Sequence, residues 1–458
     1  MNKRRISLLI LCVVSISLLS GATFTEASLK GLLLSNNLQL KRAIDDQDLS
    51  VLDRKDAKAG YGPTIELEIS ATYLQNTTLF TIQENPVDPT VFPLPPTMFP
   101  LELKVEPTLY KFALTLSQPV WTWGKLRNGV AMTEKLVEIR QRQRFALQKS
   151  LLAELESRLY AQHYLGTMEE LLRQQLLHAE AMVSLVREAF ANGMALQEDV
   201  LSSQVFARQL KLAAVQVSQQ RQKQQSSIGR LCNTDILSSD QILWTPDEEH
   251  FRSMLGFDLK RLQAMATAKN QEQVRIATLM GELAALSTSL AQGDLYWKPN
   301  MAMQVSLEYG GAKFPFIEDG WMEKDDYTFN VSVGMKTTIW DGGRKFHEVR
   351  RSSIKEGQAA LDIDQVYQGL KAQVEEAYHA MHLAHENLEY LHLKEASAKA
   401  QEAQQQKLFD SGYGSEQDLL KAKLALLSVR FEQEQQWLSY TGAFAALNAL
   451  CGVENPLL

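Results

Sequence analysis

Gln118-Pro119-Val120-Trp121-Thr122-Trp123-Gly124-Lys125 returns 219 residues later as Thr337-Thr338-Ile339-Trp340-Asp341-Gly342-Gly343-Arg344, with a tryptophan, a glycine and a cation in register. At the same offset Phe190, Gly193, Asp199 and Leu201 meet Phe409, Gly412, Asp418 and Leu420, and Leu231-Cys232 meets Leu450-Cys451. Three separate anchors sharing one ungapped offset mark an internal duplication. It divides the chain into a first repeat over 23–235 and a second over 236–458, so two copies of one unit explain the 458 residues better than two or three unrelated domains. The copies differ in one place. Pro63 and Pro119 are 56 positions apart, whereas Pro299 and Thr338 are 39 apart, so the first copy carries about 17 extra residues there. That insertion holds Pro86, Pro89, Pro93, Pro95, Pro96, Pro100 and Pro107, which neither a helix nor an inner strand tolerates. A long exposed loop is expected over 76–109.

Upstream of the shared motif each copy holds two stretches of strict period two. Ile65, Leu67, Ile69, Ala71 and Tyr73 alternate with Thr64, Glu66, Glu68, Ser70 and Thr72, and Phe112, Leu114 and Leu116 with Ala113, Thr115 and Ser117. In the second copy Met301, Met303, Val305, Leu307 and Tyr309 alternate with Asn300, Gln304, Ser306 and Glu308, and Tyr327, Phe329, Val331, Val333 and Met335 with Thr328, Asn330, Ser332 and Lys336. This pattern predicts four strands, each with one apolar and one polar face. Strands of about 10 residues, tilted near 45°, span an outer membrane with lipid on one side and a wet lumen on the other. The alternative is a sheet half-buried on helices, but the rest of the chain offers no apolar layer to cover it. Four strands cannot close a barrel, and an open edge is not tolerated in lipid, so a barrel must be shared between subunits. Two chains would give eight strands and an interior filled by side chains; three would give twelve and a lumen, which a polar inner face favours.

Downstream, from about Leu126 to Phe190 and from about Lys345 to Phe409, there is no proline and helix formers dominate. Each run would extend about 97 Å at 1.5 Å per residue. Val374, Ala377, Met381, Ala384, Leu388 and Leu391 follow the 3-4 spacing of a coiled-coil seam. Both runs reach glycine turns, Ala191-Asn192-Gly193 and Asp410-Ser411-Gly412, then return through shorter helices to Cys232 and Cys451. Residues from about 24 to 60 and from about 248 to 290 supply a further half-length helix per copy. The expected architecture is therefore mixed α and β, with a long helical coiled coil beneath a membrane barrel.

Lys3, Arg4 and Arg5 precede an apolar run from Ile6 to Leu19 and the small residues Ser20, Gly21 and Ala22, the order of a secretory signal over 1–22. The apolar run is short of the ~20 residues a spanning helix needs, and no other stretch has 18 consecutive apolar residues, so no transmembrane helix is expected in the mature chain. Cys12 lies inside the run and Ala22 is followed by Thr23, which argues against a lipid anchor. Cys232 and Cys451 are too few for a disulfide framework and read as small buried apolar residues. The formal charge of -7 gives no sign of a nucleic-acid partner.

The most tempting chemistry is His379, His382 and His385 with Glu375 and Glu386, because histidines three apart on a helix can share a metal. Successive steps drift by about 60°, which separates the first and third, and a solvated helix face is the preferred reading. Arg140, Arg142 and Arg144 are likewise read as a solvated face. There is no Gly-rich phosphate loop with its lysine and no nucleophile elbow, so the chain reads as non-enzymatic, with no cofactor and no metal. Trp121 and Trp340 suit either a membrane interface or core packing, and Gly124 and Gly343 permit a tight passage from strand to helix.

Taken in order, Asn36-Asn37-Leu38, the strand opening Gly62-Pro63, Trp121 and Trp340, and the turns Gly193 to Leu201 and Gly412 to Leu420 resemble the TolC-like outer-membrane efflux family over essentially the whole mature chain. The family usually has Pro after its Asn-Asn pair where this chain has Leu38, a departure confined to one turn. The resemblance implies a homotrimer with a twelve-stranded barrel in a Gram-negative outer membrane and a twelve-helix tunnel in the periplasm. It would be a passive exit duct for tripartite efflux or type I secretion, working with a periplasmic adaptor (membrane fusion) protein and an inner-membrane pump. The docking tip is then expected at Gly193, Met194, Ala195 and Leu196 and at Gly412, Tyr413, Gly414 and Ser415, and the resemblance places a pore constriction at Asp418, with Asp199 its repeat mate. Three copies of Asp418 around one axis would attract cations, although Lys421 lies one turn on and Phe409 and Gly414 offer no side-chain hydrogen bonds to latch a gate. The competing reading makes each aspartate a helix-start carboxylate. The alternative to a duct is a non-channel periplasmic scaffold or adaptor, and a lipid-facing strand face separates the two.

Overall fold

The structure, a computed structural model, describes residues 23–75, 78–81, 102–104, 107–237, 240–246, 256–321 and 326–452. The expected signal 1–22 lies outside these residues, as does most of the proline-rich insertion. In the first half β1 (Thr23–Thr25), α1 (Glu26–Asn36), α2 (Leu38–Ala59), β2 (Thr64–Tyr73), β3 (Thr78–Thr81), β4 (Glu102–Lys104), β5 (Thr108–Trp121), α3 (Lys125–Ala191) and α4 (Gln197–Cys232) follow one another. The second half runs β6 (Gln241–Leu243), α5 (Leu259–Ala266), α6 (Glu272–Gly293), β7 (Asn300–Gly311), β8 (Tyr327–Lys336), α7 (Arg344–Asp410) and α8 (Glu416–Cys451). α3 and α7 are both 67 residues long, and α4 and α8 both 36. Between strand and long helix the backbone turns left-handed, at Trp123 and Gly124 (φ 54° and 81°) and at Gly342 and Gly343 (73° and 84°). Glycine meets that requirement without a side-chain clash.

Two expectations need correction. The helix expected over 24–60 is broken at Asn37, whose ψ of 125° leaves the helical region. Its buried side chain accepts from Leu40 N at 2.9 Å and donates to Leu231 O at 2.9 Å, so a long-range polar contact outweighs the run of helix formers on either side. The helix expected over 248–290 is likewise two helices, and Gln271, just before α6, donates to Cys451 O at 3.0 Å. Second, the loop expected over 76–109 contains an antiparallel pair, β3 with β4, and its last two residues already belong to β5. Neither short strand contains proline, so both keep the backbone donors a ladder needs. By length and composition alone α6 would also suffice to cross a membrane. Glu282, Ser287 and Thr288 interrupt it, so it holds no unbroken apolar run of that length. Ion pairs tie it to α3, Arg275 with Glu138 at 2.7 Å and Glu282 with Lys135 at 2.6 Å.

Two compact units divide the chain. Of the described residues, one gathers those within Met1–Leu49, Glu138–Gly281 and Ala359–Leu458; the other gathers those within Ser50–Val137 and Glu282–Gln358. The first is helical. Its largest cluster joins Val374, Met381, Ala384 and Leu388 of the seam to Tyr440, Phe444 and Leu447 of α8 and Tyr160 and Tyr164 of α3. Each such large side chain, fully buried, contributes about 1.5–3 kcal/mol. A second cluster sets Leu29, Leu33 and Leu40 against Leu151, Leu155, Leu159, Ile228 and Cys232. Cys232 Sγ donates to Leu29 O, and Cys451 Sγ makes the matching bond to Leu262 O, both at 3.6 Å. Burial pushes both thiols up to about 11, which keeps them protonated and inert.

The second unit holds an antiparallel sheet in the order β2-β5-β7-β8. Its register aligns the alternation of all four strands. Ile69, Phe112, Tyr309 and Tyr327 form one row across the sheet, Leu67, Leu114, Leu307 and Phe329 the next, and Ile65, Leu116, Val305 and Val331 the third. The opposite face carries the rows Glu68, Ala113, Glu308, Thr328 and Glu66, Thr115, Ser306, Asn330. A bulge between Pro119 and Trp121 sets Trp121 opposite Met301, on the apolar side with Met335.

Candidate functional site

Two features stand out as sites: the pair of glycine turns in the helical unit, and the apolar face of the sheet. α3 ends because Gly193 takes φ 73°, which lets Gly193 N donate to Phe190 O at 2.9 Å and Met194 N to Ala189 O at 2.8 Å. α7 ends the same way at Gly412 (φ 78°), with Gly412 N bonded to Phe409 O and Tyr413 N to Leu408 O, both at 3.0 Å. This Schellman arrangement satisfies the last carbonyls of each long helix. Gly414 is pressed against α7, where an added Cβ would lie 2.8 Å from Phe409 N, whereas the first turn has Ala195 at the matching position.

The next helices start on their aspartates. Ser415 caps α8: its Oγ accepts from Asp418 N at 3.1 Å and donates to the Asp418 carboxylate at 2.6 Å. Leu196 occupies the matching position before α4 and has no such oxygen, so Asp199 alone reaches back, accepting from Leu196 N at 2.8 Å. Both aspartates are thus helix-start carboxylates in the second sense expected, and both are exposed. Val200 and Leu420, just beyond them, meet Met182 and Val186 of α3 in one cluster, which brings the two helix starts together. Among the side chains the turns present outward are three large apolar ones: Met194 is 75% exposed, Leu196 69% and Tyr413 89%. The Ser-x-x-Asp spacing of Ser415 and Asp418 is a capping signature legible in sequence.

A further polar junction had no such signal. Glu395 of α7 accepts from Arg430 Nε of α8 at 2.9 Å, from Lys399 Nζ at 2.9 Å and from Gln433 Nε2 at 3.3 Å. Burial alone would raise its pKa, but the hydrogen bonds from Lys399, Arg430 and Gln433 outweigh burial and bring its carboxyl down to about 2.

The three histidines go separate ways. His379 faces Glu375 at 4.0 Å in solvent, His382 packs half-buried on Tyr378 with ring centroids 4.4 Å apart, and His385 neighbours Tyr440. Only His379 fits the solvated face expected of all three. Among the described residues no group of three His, Cys, Asp or Glu is placed to hold a metal. Of the three arginines, Arg140 bonds Gln143 and Arg144 lies over Phe145, but Arg142 pairs with Glu272 at 3.4 Å and so joins α3 to α6.

On the sheet Ile65, Leu67, Ile69, Leu114, Leu307, Phe329, Val331 and Val333 are all exposed on one face. Trp121 and Trp340 are exposed as well, which removes the core-packing reading for both. Among the described residues β2 and β8 each have one neighbour in this sheet, so each leaves an edge open. Such a face, with two open edges, calls for an apolar medium and for further strands.

The family model for outer membrane efflux proteins matches residues 29–234 and 304–453. No curated protein sequence matches. Solved structures with the same fold include the CmeC outer membrane channel of Campylobacter jejuni, 14% identical with a TM-score of 0.74 over 93% of this chain and 85% of that one. The outer membrane protein VceC of Vibrio cholerae is 14% identical with a TM-score of 0.72, over 93% and 96% of the two chains. The MtrE outer membrane channel of Neisseria gonorrhoeae, in its open state, is 13% identical with a TM-score of 0.69, over 93% and 88%.

Proposed function

Because the chain belongs to the outer membrane efflux protein family, we propose that it works as a homotrimer whose three four-stranded sheets close one twelve-stranded barrel. It is an efflux channel-tunnel of a Gram-negative outer membrane that extends into the periplasm, a transport duct and not an enzyme.

The observation that carries the trimer is the sheet: an exposed apolar face in register across β2, β5, β7 and β8, backed by a face bearing Glu66, Glu68 and Glu308, with an open strand at either side. In lipid every backbone donor and acceptor must be paired, so β2 of one subunit joins β8 of the next. Eight strands from two chains would enclose a packed interior, whereas twelve leave a lumen for the carboxylates. A periplasmic scaffold, the competing function, would leave this face in water. Mass measurement of the detergent-solubilised particle tests the assembly; a trimer is expected, and a stable monomer refutes it.

The two repeats, 23–235 and 236–458, each supply two barrel strands, one long helix and its return helix. We assign the exposed turns Gly193–Leu196 and Gly412–Ser415 to docking with a periplasmic adaptor that links the duct to an inner-membrane pump. Met194, Leu196 and Tyr413 support this, since large apolar side chains held at turns gain by burial against a partner. Asp418, threefold in the trimer with Lys421 one turn on, is assigned with Asp199 to a cation-selective constriction while it also takes part in the start of α8.

A further inference from the structure

We propose that the first part of the connection between β7 and β8 is a membrane foot: residues 312–321 fold back over the apolar face of the sheet and sink Phe316 and Ile317 into the lipid headgroup boundary beside the barrel. The proposal rests on that face being turned toward lipid.

The fold-back begins at Tyr309. Its ring leans along β7 over Gly311, where a Cβ would lie 2.5 Å from the phenol oxygen and 2.8 Å from Cζ, so glycine makes the room. Tyr309 Oη then donates to Lys313 O at 2.6 Å, tying the next residues down over the ring. Tyr309 is consequently only 4% exposed, whereas Leu307 and Phe329 in the neighbouring row of the same face lie open. Phe314 meets Tyr110 and Phe112 edge-on, with ring centroids 5.1 and 5.7 Å apart. Trp321 lies 6.3 Å from Tyr327. Phe112, Tyr309 and Tyr327 form one row of the apolar face, and Tyr110 lies two residues along β5 from Phe112. All of these attachments are therefore to the side turned away from Glu66, Glu68 and Glu308, so the segment cannot dip into the lumen.

What the anchors hold out is apolar. Phe316 is 80% and Ile317 77% exposed, at the far end of a turn closed by Glu318 N to Phe314 O at 3.1 Å, with Pro315 buried beneath. Phe316 has φ 67°, a conformation an aromatic L-residue adopts only under constraint, and its ring rests on Trp321 at 4.5 Å. Glu318 and Asp319 follow immediately and are exposed, so apolar tip and carboxylates are separated by a single step of chain. Two large apolar side chains held in a strained turn gain free energy at a lipid interface and none in water, and the carboxylates limit them to the headgroup boundary. Tyr110, Tyr309, Trp321 and Tyr327 add the aromatic band expected at that depth.

The test uses the mature chain, without the signal segment that holds Cys12, with Ile317→Cys or, separately, Leu307→Cys, labelled with an environment-sensitive fluorophore; native Cys232 and Cys451 are buried and stay unlabelled. Each is reconstituted into vesicles of phosphatidylethanolamine and phosphatidylglycerol that carry spin-labelled lipid, and is also exposed to aqueous iodide. A label at 317 should lose most of its emission to spin labels near the headgroup, less to deep ones, and little to iodide. A label at 307 should respond to deep spin labels. If 307 responds to lipid while 317 responds only to iodide, the foot is wrong and the lipid-facing sheet stands. If 317 escapes both quenchers, the tip is covered by a neighbouring subunit or plugs the channel mouth, which also overturns the proposal. If 307 itself ignores lipid, the reading of the apolar face has failed first.

Discussion

Glu395→Gln keeps the side chain's shape and removes its charge at the junction of α7 and α8, where Arg430, Lys399 and Gln433 converge on one half-buried carboxylate. The carboxyl sits at about 2 against an ordinary 4.5. At about 1.4 kcal/mol per unit this corresponds to roughly 3 kcal/mol, and screening through the partly exposed Arg430 reduces it to about 2 kcal/mol. A depressed carboxylate pKa contributes stability that is fully present above the ordinary value and is lost as pH falls through the folded one. The parent protein should therefore weaken progressively below about 4.5 and toward about 2 from this group. The variant should be less stable by about 2 kcal/mol at pH 7, and flatter over the acid range, because nothing remains there to protonate. Denaturant unfolding of the detergent-solubilised protein, followed by circular dichroism from neutral to acid pH, reads both effects. An unchanged midpoint at neutral pH together with an unchanged acid slope would refute the reasoning.

Ser415→Ala removes the hydroxyl that caps α8 and should cost about 1 kcal/mol, seen as faster amide exchange in its first turn; unchanged exchange there would mean the cap is idle. Met194→Trp combined with Tyr413→Arg, at two exposed turn positions, should abolish export while trimer and membrane insertion persist, and intact export would count against docking at these turns. Asp418→Asn retains the backbone bond to Ser415 but removes charge, so cation selectivity and block by a trivalent cation from the periplasmic side should both fall in planar bilayers. If neither changes, Asp418 serves only to start its helix.

The long-range architecture was legible wherever a pattern ran long enough to average out local exceptions. Lys125–Ala191 and Arg344–Asp410 begin and end within a residue or two of the expected runs, and Val374, Met381, Ala384, Leu388 and Leu391 are buried as their spacing required. The four alternating stretches are strands β2, β5, β7 and β8 for the same reason. What escaped depends on contacts between residues far apart in sequence. Asn37 breaks a helix through a carbonyl 194 residues away, and Glu395 meets Arg430 across 35 residues. The parallel pairing of Thr23–Thr25 with Gln241–Leu243 joins segments too short to carry a period. Asp199 and Asp418 show the remaining difficulty: sequence supplied two roles for one carboxylate, and the capping geometry accounts for one of them without bearing on the other.

Single-channel recording of the purified protein in planar lipid bilayers tests the central claim most directly. An outer-membrane channel predicts insertion from detergent and discrete ion-conducting events; a protein that stays in solution without detergent and never conducts would contradict it.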